Sequence, residues 1–211
     1  MTPHGAGPVT SESIELDEVT HVYRVGGRIW PGVSEVLNPI NELDGIPRDL
    51  LAAAAEFGRH VHTAVDFWNR GVLDEAALDP VLAPYLAGWK KYLQESGAVV
   101  IVSEKKVRHR LHRYCGTLDS AVALLRRARR SNHIVDVKSG LVPRTVGPQT
   151  AAYREAWVSE QLGAADISTT RFCVQLRPDG DYRLHKLEAS TDWSMFVSCL
   201  NIHRWRFPNV S

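Results

Sequence analysis

Three apolar segments with β-type alternation follow one another in the middle of the chain, and two of them contain charged residues at interior positions. The segments span residues 98–109, 114–125 and 133–140. Asp119 lies inside the second segment, and Asp136 and Lys138 lie inside the third. Because an ionised side chain is costly to bury unless it is paired or bound to an ion, the fold must give these groups a common environment.

Strand geometry determines which side chains of the third segment share a face. Successive side chains point to opposite faces of a strand, so Asp136 and Lys138 share one face while Val135 and Val137 face apolar packing on the other. Taken alone, this pattern also fits a solvent-facing ion pair. Strands that follow each other in sequence usually pair, which predicts that Asp119 lies within a few ångström of Asp136. Two such carboxylates repel each other, and a divalent cation with a preference for oxygen, Mg²⁺ or Mn²⁺, resolves the conflict.

The remaining pattern predicts an α/β fold with a central mixed sheet flanked by helices, preceded by an N-terminal β-hairpin and a helical segment. Residues 1–12 read as a disordered lead-in, and residues 13–211 as a single domain. The first predicted elements are a hairpin within 14–30 turning at Gly26-Gly27, a short helix, and helices over 47–71 and 80–96. The three strands follow, with a charged turn at 126–132 between the last two. The last predicted elements are a helix over 147–163, a hairpin turning at Asp179-Gly180 and a helix reaching about Trp205.

Cysteine usage and hydropathy narrow the class of protein. The 3 cysteines are far apart and form no CxxC pair, so we expect buried free thiols and no iron–sulfur cluster. No apolar run approaches the roughly 20 residues that a membrane span needs, and the N-terminus lacks the pattern of a secretory signal. These features predict a cytoplasmic protein that does not interact with membranes.

Basic residues are clustered although the net charge is only +1. One cluster spans residues 108–113, a second spans 126–130, and a third alternates with aromatic residues over 204–207. Basic clusters mixed with aromatic residues suit a polyanion such as nucleic acid, whereas a solvated surface explains each cluster equally well on its own. The first cluster enters the Asp119 strand, so Arg108, Arg110 and Arg113 are the candidates for phosphate contacts.

The run Gly-Thr-Leu-Asp ending at Asp119, followed after a spacer by Asp-Val-Lys over 136–138, resembles the PD-(D/E)XK nuclease superfamily. More narrowly, it is similar to the RecB-type and phage recombination exonuclease branch. The resemblance covers roughly residues 20–160. Ser139 departs from the branch, in which a threonine commonly follows the lysine.

Further motifs of that branch occur here in the family order. A helical Gly-x-x-x-His motif precedes the strands, matched by Gly58 to His62. A Gln-x-x-x-Tyr helix follows them, matched by Gln149 to Tyr153, and a glutamate on the preceding strand is matched by Glu104. Each motif is weak alone, and the ordered set carries the resemblance.

The resemblance implies a metal site that holds one or two Mg²⁺ or Mn²⁺ ions. Asp119 becomes the central ligand and Asp136 the second carboxylate. Val137 contributes its backbone carbonyl, and His62 contributes its imidazole. Without the other motifs, a hydrogen bond from His62 to Asp66 one turn later is the simpler reading.

The other matched residues receive roles around the phosphate. Lys138 would stabilise the attacking hydroxide or the phosphate charge. A nearby metal and a dry pocket can lower a lysine pKa, which would help it handle a proton. Glu104 would serve a second metal or a water-mediated contact, unless it simply pairs with Lys106. Gln149 and Tyr153 share a helical face and would orient the nucleophile or phosphate. Otherwise Gln149 is an ordinary polar helix residue and Tyr153 a core aromatic.

The function that the resemblance implies is a divalent-metal-dependent DNA exonuclease in phage or bacterial recombination and repair. The expected location is the cytoplasm of a bacterium or phage-infected host cell. The resemblance implies DNA as the partner and leaves room for a single-strand annealing or recombination protein. A single-strand or structure-specific endonuclease on the same fold, and a non-catalytic DNA-binding module, remain alternatives.

Gly58 is the remaining unusual feature of the helical region. A glycine inside a helix costs about 1 kcal/mol relative to alanine. Close approach of the helix to the sheet, or of a DNA backbone to the helix, would explain it. A break between two helices explains it equally well.

Overall fold

The computed structural model of the protein describes residues 13–41, 45–126, 129–160, 168 and 170–208, without the side chains of residues 126 and 129. The predicted lead-in at 1–12 lies outside the described residues. The first elements are three short strands, β1 (Ile14–Asp17), β2 (Val22–Val25) and β3 (Arg28–Trp30). They form an antiparallel sheet in that order. Gly26 and Gly27 have positive φ and make the predicted turn between β2 and β3.

A second sheet has five strands in the order β4-β5-β6-β7-β8. Neighbouring strands are antiparallel except β6 and β7, which are parallel. The predicted α/β architecture with a central mixed sheet is therefore confirmed. The strands are β4 (Val99–His109), β5 (Tyr114–Arg126), β6 (Arg129–Lys138), β7 (Arg171–Leu176) and β8 (Tyr182–Leu187).

Five α-helices occur in the described part of the chain, and they cover both faces of the large sheet. The helix α4 lies between β6 and β7 in sequence, as a parallel connection requires. The helices are α1 (Val33–Leu37), α2 (Arg48–Asn69), α3 (Ala83–Ser96), α4 (Val146–Glu160) and α5 (Asp192–Arg206).

Two apolar cores separate the layers. On one face, Val61 of α2 and Trp89 of α3 pack against β6 residues Val135 and Val137. On the other face, α1, α4 and α5 pack against the sheet around Tyr114, Leu118 and Ile134. Strand alternation sends Val135 and Val137 into the first core, as predicted, and Ile134 into the second.

Two expectations about local structure are corrected. Most of the segment 126–132 belongs to the strands and not to the predicted charged turn, because β5 and β6 pair as far as Arg126 and Arg129; residues 127 and 128 lie outside the described residues. Near the end of the β5–β6 pair, a charged side chain such as that of Arg130 reaches water while the backbone ladder continues. The helix α2 is also continuous through Gly58, so this glycine does not mark a break.

The three cysteines are buried and form no disulfide, as predicted. None of the helices that the structure describes is long and apolar enough to cross a membrane.

Candidate metal centre

A cavity of about 610 Å³ lies where the N-terminal sheet, α1, α2 and the ends of β4, β5 and β6 meet. Most of the motif residues line this cavity. They are Gly58 and His62 from α2, Glu104 from β4, Asp119 from β5, Lys138 from β6, and Gln149 and Tyr153 from α4. The structure thus brings together residues that are widely separated in sequence.

Three of these side chains form a group with metal-ligand character. His62 Nδ1 lies 3.4 Å from Glu104 Oε1 and 3.6 Å from Asp119 Oδ1. The ligand atoms of His62, Glu104 and Asp119 all lie within 4.8 Å of one another. His62 does not bond to Asp66, which pairs instead with Arg70 at 3.2 Å. The cluster therefore favours the ligand interpretation of His62 over the helical one.

Glu104 has an unusual backbone. It lies inside β4 with φ of 46°, in the left-handed region that a residue with a side chain rarely adopts. Such a conformation costs about 1–3 kcal/mol and persists only where the surroundings impose it. Lys106, the alternative partner of Glu104, lies 3.8 Å from Glu18 instead. One left-handed residue thus lies where the chain faces His62.

Asp119 is fixed by the way β5 and β6 separate. The paired residues of these strands end at Ser120 and Val135. Beyond that pair, the backbone N–H of Val137 donates a hydrogen bond of 2.7 Å to Asp119 Oδ2. One carboxylate oxygen thus satisfies a backbone donor, and the other faces His62. The role predicted for the Val137 carbonyl stays a prediction.

Asp136 lies beside Lys138, and its role as a second carboxylate ligand stays a prediction. Its carboxylate is buried, its Oδ2 lies 2.7 Å from Lys138 Nζ, and it is not part of the group within 4.8 Å. Burial raises the pKa of Asp136 to about 6, against the opposing effect of Lys138 and with a contribution from Asp119. The repulsion expected between the two aspartates therefore operates, but Lys138 balances it.

The neighbouring carboxylates raise the pKa values of two basic side chains, His62 and Lys138. Burial by itself would lower the pKa of His62, but Asp119 and Glu104 outweigh it and raise that pKa to about 9. Burial would also lower the pKa of Lys138, but Asp136 and Asp119 raise it above the usual lysine value. The ion pair with Asp136 thus exceeds the cost of desolvation, and the lowered pKa expected for a lysine beside a metal stays a prediction.

Gln149 and Tyr153 lie on one face of α4, as the spacing predicted. Gln149 Nε2 donates a hydrogen bond of 3.2 Å to the Tyr153 hydroxyl. Burial raises the pKa of Tyr153 well above its usual value, so the hydroxyl keeps its proton. Gly116 allows this packing, because a Cβ there would lie 2.5 Å from Tyr153 Cε1.

The remaining acidic residues of the cavity wall have partners elsewhere. Glu18 pairs with Lys106, Glu35 lies 3.0 Å from His203, and Asp66 pairs with Arg70. Each of these three carboxylates therefore has a partner of its own. Glu104 and Asp119 are left facing His62, so negative charge is concentrated at a single place in the cavity.

The predicted phosphate-contacting arginines lie away from this cavity. Arg108 is 6% exposed, and its Nε lies 3.4 Å from Glu160, so its side chain is used inside the fold. Arg110 and Arg113 are exposed. The backbone N–H of Arg110 bonds to Ser159 Oγ, near the end of α4 opposite to Gln149. At 1.5 Å per residue, that separation along α4 is about 15 Å.

Sequence reasoning gave no role to Arg59, Tyr23 and Thr117, which are among the residues that line the cavity. Arg59 is exposed on α2 and lines the cavity. Tyr23 of the N-terminal sheet hydrogen-bonds Thr117 of β5 at 2.9 Å and so closes one side. The position of Arg59 three residues before His62 could have indicated a shared helical face, but no sequence pattern linked Tyr23 to Thr117.

The donor set fits a divalent cation. Two carboxylates and one imidazole are ligands that Mn²⁺ and similar ions accept, and Mg²⁺ accepts the carboxylates. The chain matches no known protein-family model, and no curated protein is significantly similar to it in sequence. The geometry of the centre is therefore the basis for any functional conclusion.

Proposed function

We propose that the protein is a divalent-metal-dependent DNA nuclease with a site of the PD-(D/E)XK type, and that it acts as an exonuclease in the cytoplasm. The observation that carries the proposal is the convergence of His62, Glu104 and Asp119 within 4.8 Å, beside the Asp136–Lys138 ion pair. Perturbed pKa values gathered in one cavity are typical of functional sites. The family resemblance of the same residues supports DNA as the substrate.

His62, Glu104 and Asp119 would hold the ion, with Asp136 next to them. The chemistry that a divalent ion supplies in such a site is polarisation of the phosphodiester and activation of water for attack. In the overall reaction, a water oxygen bonds to phosphorus, the bond to the leaving oxygen breaks, and the leaving oxygen takes up a proton.

The neighbouring residues would bind and orient the reacting groups. Lys138 presents a positive charge to the cavity and would stabilise charge that develops on the phosphate. The Tyr153 hydroxyl accepts a hydrogen bond from Gln149, so its own proton is available to a phosphate oxygen or to water. The Gln149 carbonyl oxygen would accept a hydrogen bond from the attacking water.

The test is incubation with end-labelled linear duplex and single-stranded DNA in the presence of Mn²⁺, Mg²⁺ or EDTA. We expect release of the label with either ion and none in EDTA. Covalently closed circular DNA is the matched substrate, because an exonuclease leaves it intact and an endonuclease cuts it. Absence of cleavage of every DNA substrate with both ions would refute the proposal.

A further inference from the structure

Two adjacent residues of α2, Gly58 and Arg59, line the cavity without a structural task that the described residues reveal. Gly58 lies in the interior of a helix of 22 residues, where glycine is less stable than alanine. A Cβ at this position would meet only Ser139 Oγ, at 3.9 Å, which is ordinary contact. Helix-to-sheet packing therefore does not require a glycine here.

The side of α2 next to the metal centre carries small residues at Ala55 and Gly58, and we call it the smooth surface. Ala55, Gly58 and His62 all line the cavity and follow one another at helical spacing. With no side chain at Gly58 and only a methyl group at Ala55, the helix backbone is accessible from the cavity. A ligand that reaches His62 along this side would meet main chain rather than bulky side chains.

Arg59 supplies a positive charge beside this smooth surface. Of the cations that line the cavity, Lys138 pairs with Asp136 and Lys106 lies near Glu18. Arg59 is exposed and has no ion pair within the part of the chain that the structure describes. A guanidinium matches phosphate geometry through two parallel hydrogen bonds.

We propose that one strand of nucleic acid lies along α2, with its backbone passing over Gly58 and one phosphate bound by Arg59. This inference rests on the proposed function and specifies how the substrate reaches the metal centre. The volume of about 610 Å³ is within the range of pockets that hold a small ligand, which suits a short part of one strand.

The first test measures binding of a short fluorescent single-stranded oligonucleotide by anisotropy, in EDTA and over a series of salt concentrations. We expect Arg59→Gln to reduce the slope of log K against log salt by about 0.7, the value for one phosphate contact to a single strand. The matched control is Arg48→Gln, which removes an exposed arginine of the same helix that does not line the cavity. Its slope should equal that of the wild type.

The second test adds bulk at the smooth surface. We expect Gly58→Leu to weaken oligonucleotide binding at least ten-fold, whereas Ala54→Leu, on an exposed part of α2 outside the cavity wall, should not. If the leucine variant does not fold, Gly58→Ala tests the same proposal. It should raise the melting temperature by about 2–4 °C and still weaken binding.

The outcomes separate this inference from the proposed function. A wild-type salt slope for Arg59→Gln, unaltered binding by both Gly58 variants, or no oligonucleotide binding by the wild type would overturn the inference. Cleavage by the wild type with Mn²⁺ is measured in parallel. If the wild type cleaves DNA and the variants bind normally, only the inference fails. If the wild type does not cleave any DNA, the proposed function fails whatever the variants do.

Discussion

The backbone N–H of Val137 donates a 2.7 Å hydrogen bond to the carboxylate of Asp119 at the point where β5 and β6 separate. This contact ties the side chain of one strand to the main chain of the next. It leaves the second carboxylate oxygen facing His62 at 3.6 Å. Asp119 therefore has a structural contact and a candidate ligand position at the same time, and substitutions can separate the two.

Asp119→Asn and Asp119→Ala should differ in stability and agree in activity. Asparagine keeps an oxygen for the Val137 N–H, whereas alanine leaves that donor unsatisfied and should cost about 1–3 kcal/mol in the free energy of unfolding. Both changes remove the negative charge, so DNA cleavage should fall about 100-fold or more. Denaturant unfolding and a cleavage assay measure the two effects.

DNA binding by Asp119→Asn decides between an enzyme and a non-catalytic binding module. Retained binding with lost cleavage supports a nuclease. Equal cleavage by Asp119→Asn and the wild type would exclude Asp119 from the reaction.

The dependence of DNA cleavage on the kind of metal ion should reflect the His62 imidazole in the metal centre. A nitrogen ligand makes the site softer than one with oxygen ligands alone, so activity with Mn²⁺ should be at least equal to that with Mg²⁺. Mn²⁺ at about 100 times its Kd should stabilise the fold by about 2.7 kcal/mol, seen as a rise in melting temperature. His62→Asn should reduce both the activity with Mn²⁺ and the rise in melting temperature that Mn²⁺ causes. Clearly higher activity with Mg²⁺ would contradict the assignment of His62 as a ligand.

Gly116→Ala should disturb the Gln149–Tyr153 pair. The new Cβ would lie 2.5 Å from Tyr153 Cε1, so the tyrosine ring must shift. Overpacking of this kind costs about 1–3 kcal/mol, and cleavage should fall because Tyr153 loses its position. Gly140→Ala is the matched control, since a Cβ there meets nothing within 4 Å. Equal thermal stability of the two variants would contradict the packing argument.

His109 should make the protein less stable in mild acid. Burial, with a contribution from His112, lowers the pKa of His109 to about 4. Its Nδ1 accepts a hydrogen bond of 3.1 Å from the His112 backbone N–H, which requires an unprotonated nitrogen. In the unfolded chain the imidazole regains an ordinary pKa of about 6.5 and takes up a proton below that pH.

Stability from His109 is therefore complete above about pH 6.5 and is lost as the pH falls towards about 4. His109→Gln should flatten the dependence of the unfolding free energy on pH in this window. Urea unfolding across the pH range measures it, with His60→Gln, a change at an exposed helix position, as control. A slope unaffected by His109→Gln would show that another group controls the acid response.

Arg110 and Arg113 remain candidates for contacts with DNA outside the cavity, because both side chains are exposed. Replacing both with glutamine should flatten the salt dependence of binding to a DNA long enough to extend beyond α4. Replacement of Arg183 and Lys186, exposed on the edge strand β8, is the control. An unchanged salt slope would remove the 110–113 segment from the DNA-binding surface.

Local periodicity was enough to predict several contacts. Alternation along β6 placed Asp136 and Lys138 on one face, and the four-residue spacing placed Gln149 next to Tyr153 on α4. Such pairs depend on the geometry of one element, which the sequence of that element largely determines. The order of strands and helices likewise predicted a mixed sheet with helices on both faces.

The tertiary structure alone decided which charged groups meet across elements. Glu104 joins His62 and Asp119, Asp136 is held by Lys138, and Arg108 is turned inward to Glu160. These outcomes depend on where β5 and β6 separate, on the left-handed backbone at Glu104 and on how α2 crosses the sheet. A sequence states which side chains carry charge, but their partners follow from distances between elements that only the packed chain defines.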